Sequence, residues 1–197
     1  MNVEERRVEI TDLRVLAALA HPVRVQLLNY LLGTGQHTAT QCAVVTEASP
    51  SACSYHLRQM ERFGLVERVP AEANVKPDGR QRVWRATATG ISFGGAPSTD
   101  RPAVRSARHA LSVLSIDEAA RLAKRYLTHA DTLDAPWQDA AAFATYGAAM
   151  TADELRDLTA AIDALVRPFI GVTRVDPPDG SQIVHVTLQA FRRIEHV

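Results

Sequence analysis

A chain of 197 residues, 46% apolar and 22% charged, can bury one core or two small ones and has the polarity of a globular protein. Membrane spans are not expected, because no apolar run approaches the roughly 18–20 residues they need, and charged residues 1–7 do not read as a secretory leader. With Cys42 and Cys53 the only cysteines, a disulfide-stapled fold is also set aside, and a cytoplasmic protein is expected.

The zero net charge is unevenly laid out. Residues 1–112 carry 14 Lys/Arg against 10 Asp/Glu, whereas residues 113–197 carry 8 against 12, so the two parts stand at +4 and −4. The first part is the one suited to an anionic partner.

Thr11 is read as the cap of a first helix that runs to Ala20, with Leu13, Leu16 and Ala17 on one face. Pro22, suited to a first helical position, restarts the chain. Val23, Leu27, Leu28 and Leu31 then recur at helical spacing until Gly33 ends a second helix. Thr38 and Gln41 form a T-x-x-Q capping box for a third. Ser49 as N-cap and Pro50 as first helical residue open a fourth, which runs to about Arg62 and stops at Gly64. The apolar period then turns from helical to alternating. Leu65–Val69 and Arg82–Thr87 read as the strands of a hairpin around a Pro77-Asp78-Gly79 turn.

Gly94-Gly95, Pro97-Ser98 and Pro102 carry linker chemistry. Beyond them, Ser115 and Glu118 read as the capping box of a helix with Leu122, Tyr126 and Leu127 on its apolar side. Thr151 and Glu154 repeat the device ahead of Leu155, Leu158, Ile162, Leu165 and Phe169. Pro177-Pro178-Asp179-Gly180 turns the chain into an alternating strand of Val184, Val186, Leu188 and Ala190, and Phe143–Ala149 is a second strand candidate. The expected fold is α+β, mainly α: a winged helix-turn-helix over 1–90, a linker over 91–104, and a small α+β domain over 105–197 for dimerisation and candidate effector binding.

The functional reading starts from the third and fourth helices, which only Thr46–Ala48 separates before a hairpin follows; that is the layout of a winged helix-turn-helix. Cys53, Leu57, Met60 and Gly64 fall on one side of the fourth helix and are expected to pack on the preceding helices. The other side presents Ser51, Ala52, Ser54, Tyr55, Arg58, Gln59 and Arg62. Small groups there allow close approach to base edges, Arg and Gln suit guanine and adenine, and the helix N-terminus with Ser49 can take a phosphate. Around the hairpin, Lys76, Arg80 and Arg82 suit phosphate or minor-groove contact, Arg85 suits either that or a structural ion pair, and Trp84 is expected to pack inward.

Three blocks resemble ArsR-type bacterial regulators: Leu16-Ala17-Ala18-Leu19-Ala20-His21-Pro22-Val23-Arg24, then Ser54-Tyr55-His56-Leu57-Arg58-Gln59-Met60 running on to Gly64-Leu65-Val66-Glu67, then Gly79-Arg80-Gln81-Arg82-Val83-Trp84-Arg85, similar to the wing of one branch. The resemblance covers residues 10–90. It implies that the fourth helix is the recognition helix of a homodimer bound to a palindromic operator on double-stranded DNA, more commonly as a repressor, and that His56 packs rather than reads bases.

The metal sensing found in some members is not expected. Thr38 and Thr40 stand where those members place a Cys-x-Cys pair, and Cys42 and Cys53 read as core residues. No cofactor is expected. Trp137, Phe143, Tyr146, Phe169 and Phe191 are a candidate apolar effector pocket, with ordinary core packing as the alternative. No G-x-S-x-G, P-loop or H-E-x-x-H motif suggests an enzyme, and the carboxylate pairs Asp117-Glu118 and Asp153-Glu154 sit at expected helix starts. The competing class is a winged-helix protein-interaction module that does not bind DNA.

Overall fold

A computed structural model describes residues 7–69, 82–93, 101–171, 173–174 and 176–194. In chain order the elements are β1 (Arg7–Glu9), α1 (Leu13–Leu19), α2 (Pro22–Thr34), β2 (His37–Thr38), α3 (Ala39–Thr46), α4 (Pro50–Glu61), β3 (Val66–Arg68), β4 (Val83–Ala86), β5 (Gly90–Ser92), α5 (Pro102–His129), α6 (Ala135–Asp139) and α7 (Ala152–Val166). The chain is mainly helical with small sheets, as expected. It divides into one compact unit of 1–118 with 170–184 and another of 119–169 with 185–197.

The core of the first unit is built from the helical apolar stripes. Leu16 and Leu19 of α1, Leu27, Leu28 and Leu31 of α2, Cys42 of α3, and Cys53, Leu57 and Met60 of α4 are all fully buried, joined by Val66 and Trp84 from the strands and Leu111 from α5. Two sheets close this core. β4 lies between β2 and β3, antiparallel to both, with Trp84 opposite His37 on one side and Arg68 on the other. β1 and β5 pair in parallel, Val8 opposite Ile91, and the Ile10 N–H continues the ladder to the Ser92 carbonyl at 2.8 Å.

The capping signals at Thr38, Ser49 and Thr151 operate as the sequence predicts. Thr38 accepts from the Gln41 N–H at 3.2 Å while the Gln41 side chain accepts from the Thr38 N–H at 2.8 Å, and Thr151 and Glu154 repeat the exchange. Pro22 and Pro50 occupy the first helical positions of α2 and α4.

Several expectations are corrected. The cap of α1 is Asp12 rather than Thr11; its carboxylate accepts from the Arg14 N–H at 2.7 Å and also binds the Arg14 guanidinium. Gly33 does not end α2. It lies inside the helix, and its carbonyl oxygen is approached so closely by Gly171 that a Cβ there would meet it at 2.8 Å, whereas a Cβ on Gly33 itself would make only an ordinary contact with Ile183. The terminating residue is Gly35, at φ +87°. Gly64 is exposed at φ +66° and makes the turn after α4 instead of packing. The α3–α4 connection is Glu47–Ser49 rather than Thr46–Ala48, and Thr46 is the last, buried residue of α3.

Ser115 and Glu118 start no helix. α5 is continuous from Pro102, so Ser115 and Glu118 are interior residues whose backbone groups already have helical partners, and Glu118 is buried. The stretch expected as linker contributes Ile91 and Ser92 to β5, and its Pro102 begins α5. Neither strand candidate of the second half is regular. Phe143–Ala149 and Val184–Ala190 are exposed without ladder partners among the described residues, and alternation alone forms no strand without a neighbour. The Pro177–Gly180 turn is present, with Gly180 at φ +82° and the Ser181 N–H donating to the Pro178 carbonyl.

Candidate nucleic-acid interface

The approach of α3 to α4 depends on one residue of unusual backbone. Glu47 caps α3 in the left-handed region, at φ 54° and ψ 25°, which folds the chain back within three residues. Ser49 then starts α4. Its hydroxyl accepts from the Ala52 N–H at 3.2 Å and lies 2.9 Å from the Ser51 hydroxyl, so two small polar groups stand at the positive end of the helix.

Behind this end, α4 is anchored through its buried face. The Thr46 hydroxyl donates to the Cys42 carbonyl at 3.0 Å, which spends its hydrogen. The Cys53 thiol, 3.3 Å away, is therefore the donor to the Thr46 oxygen. Cys42 and Cys53 are both free and fully buried, which matches the core reading; burial foremost, and then the neighbouring Cys53, pushes the Cys42 thiol up to about 11.

The outer face of α4 presents Ser51, Tyr55, Arg58 and Arg62 to solvent, with Ala52, Ser54 and Gln59 half-buried at its edges. Tyr55 is 54% exposed, which is high for a ring of that size. Among the described residues neither Arg58 nor Arg62 is tied up in an ion pair.

Sequence reasoning treated His21 and Arg24 only as part of a family-like block, yet they support this face from behind. The His21 and His56 rings lie 4.4 Å apart, and Tyr55 packs edge-on to His56 at 5.3 Å. His21 Nδ1, His56 Nδ1 and Arg24 Nε are buried atoms without hydrogen-bond partners. Burial and then the Arg24 charge hold the His21 imidazole below the usual histidine range, and burial, then His21 and then Arg24 do the same for His56. His56 is accordingly a packing residue in contact with α2.

Of the hairpin residues, Lys76 and Arg80 and the Pro77-Asp78-Gly79 turn lie outside the described residues, whereas Arg82 is exposed just ahead of β4. Trp84 is buried at 2% exposure, as expected from its place between cations, and the Arg68 guanidinium lies 5.2 Å from its ring while pairing with Glu61 at 2.8 Å. Arg85 takes the structural alternative, bound across the strands to Glu67 at 2.6 Å.

The five aromatics offered as an effector pocket are not enclosed. Trp137 is half-buried, Phe143, Tyr146, Phe169 and Phe191 are exposed, and Phe143 has the Tyr126 ring 6.0 Å away. Among the described residues no group of three or more His, Cys, Asp or Glu side chains is placed to hold a metal ion. No single described helix is long and apolar enough to cross a membrane.

Residues 21–68, from the start of α2 to the end of β3, match the family model described as "Bacterial regulatory protein, arsR family". No curated protein matches the chain.

Proposed function

Taking as premise that residues 21–68 are a helix-turn-helix of the arsR family, whose work is DNA-binding transcriptional regulation, we propose that the protein is a sequence-specific regulator. It acts as a homodimer on an inverted-repeat operator, represses, and performs no catalysis. The observation that carries this reading is the solvent face of α4. Arg58, Arg62 and Tyr55 project from a helix whose capped N-terminus carries Ser49 and Ser51, and whose opposite face is locked into the core. Ser49, Ser51, Ala52, Ser54, Tyr55, Arg58, Gln59 and Arg62 are assigned to this contact, with Lys76, Arg80 and Arg82 from the wing on phosphates.

The dimer is supported by the second unit, where Leu158, Leu165 and Phe169 along α7 and its extension are exposed in the single chain and a second copy would cover them. A cytoplasmic site of action is consistent with the buried thiols and with binding DNA. The effector is taken to be something other than a metal on a Cys-x-Cys pair, since Thr38 and Thr40 stand at those positions and the Thr38 hydroxyl serves the α3 capping box.

The test is selection of bound fragments from random DNA at two salt concentrations, with the mass of the free protein measured by sedimentation. An enriched inverted repeat, bound by a dimer and less tightly at high salt, is the expected result. An intact dimer that enriches nothing would favour the interaction module instead.

A further inference from the structure

Away from the α4 face, the first unit contains a partly open cavity of about 190 Å³. Its floor is apolar, made by Val15 of α1, Leu28 and Leu32 of α2, and Ile91 of β5. Glu9 and Asp12 stand on its lining where β1 passes into α1. On the remaining side it is closed by Phe63, Gly64 and Leu65, the turn that joins α4 to β3, and by Thr87, the residue after β4.

That wall gives the cavity a line to the DNA-facing elements. The Thr87 hydroxyl donates to the Gly64 carbonyl at 2.5 Å, and the Thr87 N–H donates to the Leu65 carbonyl at 3.2 Å. The end of the recognition helix and the root of the hairpin are thus fastened together at one point, and that point lines the cavity. Gly64 holds φ +66°, and no atom lies within 4 Å of where a Cβ on it would stand.

We propose that this cavity is the effector site and that it takes a molecule built on a single apolar ring, neutral or cationic. The assignment rests on the regulator reading above. Size sets the ring count, since an apolar cavity of roughly 150 Å³ holds benzene. Charge sets the sign: Glu9 places a carboxylate on the lining, Asp12 is neutralised by its pair with Arg14, and none of the described lining residues is cationic, so an anionic ring would give up its hydration for no positive partner. Thr87 has its hydroxyl hydrogen committed to Gly64, and Thr11 adds one further hydroxyl-bearing residue to the lining. An occupant seated against the Phe63–Leu65 turn shifts the set of α4 relative to the hairpin. It therefore changes operator affinity, and operator DNA changes the affinity for the ring by the same factor.

The experiment uses the full chain with benzyl alcohol and benzylamine as probes and benzoate as the charge control. Backbone amide shifts report binding, and fluorescence anisotropy on the selected operator reports coupling. Expected are saturable shifts centred on the amides of Glu9, Leu65, Ala88 and Ile91, at least tenfold weaker binding of benzoate, and a change of operator affinity on saturation. Val15→Phe, which fills the cavity with the protein's own ring, should abolish the shifts; Ile91→Phe is the second blocking variant should the first not fold. Absence of saturable shifts, or shifts that persist in a folded blocking variant, would overturn the site. Shifts without any change of operator affinity would overturn the effector role. If the free protein bound no DNA at all, the regulator reading would fall and the effector role with it, while the amide shifts would still decide the cavity.

Discussion

Arg58 and Arg82 are both exposed cations on the same unit, but they stand on different kinds of backbone and should fail differently. Arg58 projects from the outer face of α4, where a guanidinium can pair bidentately with a guanine edge; Arg58→Ala is expected to cost about 1–3 kcal/mol on the best operator and to relax preference at one base pair. Arg82 precedes β4 and is assigned to phosphate, so Arg82→Ala should weaken all sequences alike and lower the salt slope by about one. Anisotropy titrations on operator and scrambled DNA at several salt concentrations separate the two patterns, and a sequence-selective loss in Arg82→Ala would contradict its assignment. Arg85 belongs with neither, because its charge is spent on Glu67. The thiols give a second prediction at this scale. Cys42 is fully buried with its thiol pushed up to about 11, and Cys53 is fully buried with its hydrogen on Thr46, so a disulfide reagent at pH 8 should find no fast-reacting group until the protein is unfolded. Rapid modification of the native protein would mean that one of them is reachable after all.

Among the elements, helices announced by capping chemistry and the β3–β4 pair announced by alternation were legible, whereas the shortest strands were not. Thr38 with Gln41, Ser49 with Pro50, and Thr151 with Glu154 mark helix starts because each side chain satisfies a backbone N–H that the helix leaves open. Ser115 and Glu118 have the same spelling and no such role, since the helix runs through them from Pro102. β1, β2 and β5 are only two or three residues long, too short to show an alternation, and β1 finds its partner more than eighty positions away. The α4 face was readable from helical spacing, whereas the His21–His56 contact behind it depends on how α2 crosses α4 and leaves no local mark. The cap at Ser49 can be tested directly. Ser49→Ala removes the acceptor of the Ala52 N–H and should lower stability by about 1 kcal/mol in a urea titration. No measurable loss would mean that water or DNA-facing groups serve that N–H equally well.

At the scale of the whole molecule, the two imidazoles link stability to acidity. Both His21 and His56 are held below the ordinary value of 6.5, each first by burial, then His21 by Arg24 and His56 by His21 and Arg24, with Tyr55 as the neighbouring phenol. Well above pH 6.5 both are neutral in the folded and unfolded chain alike and the fold keeps its full stability. As the pH falls below 6.5 the unfolded chain takes up protons that the folded one resists, so stability declines. Urea midpoints at pH 7.5, 6.5 and 5.5 should fall in that order, and His56→Gln should flatten the trend; a midpoint that rises on acidification would contradict the packing described. The sheets carry a different consequence. β1, β2 and β3 all precede residue 70, β4 and β5 both follow residue 81, and every strand pair joins a member of the first set to a member of the second. Expressed as two polypeptides divided between Val69 and Arg82, the protein would hold one edge of each ladder on either piece, and recovery of DNA binding on mixing would report complementation through the pairs that join β1 to β5 and β4 to β2 and β3.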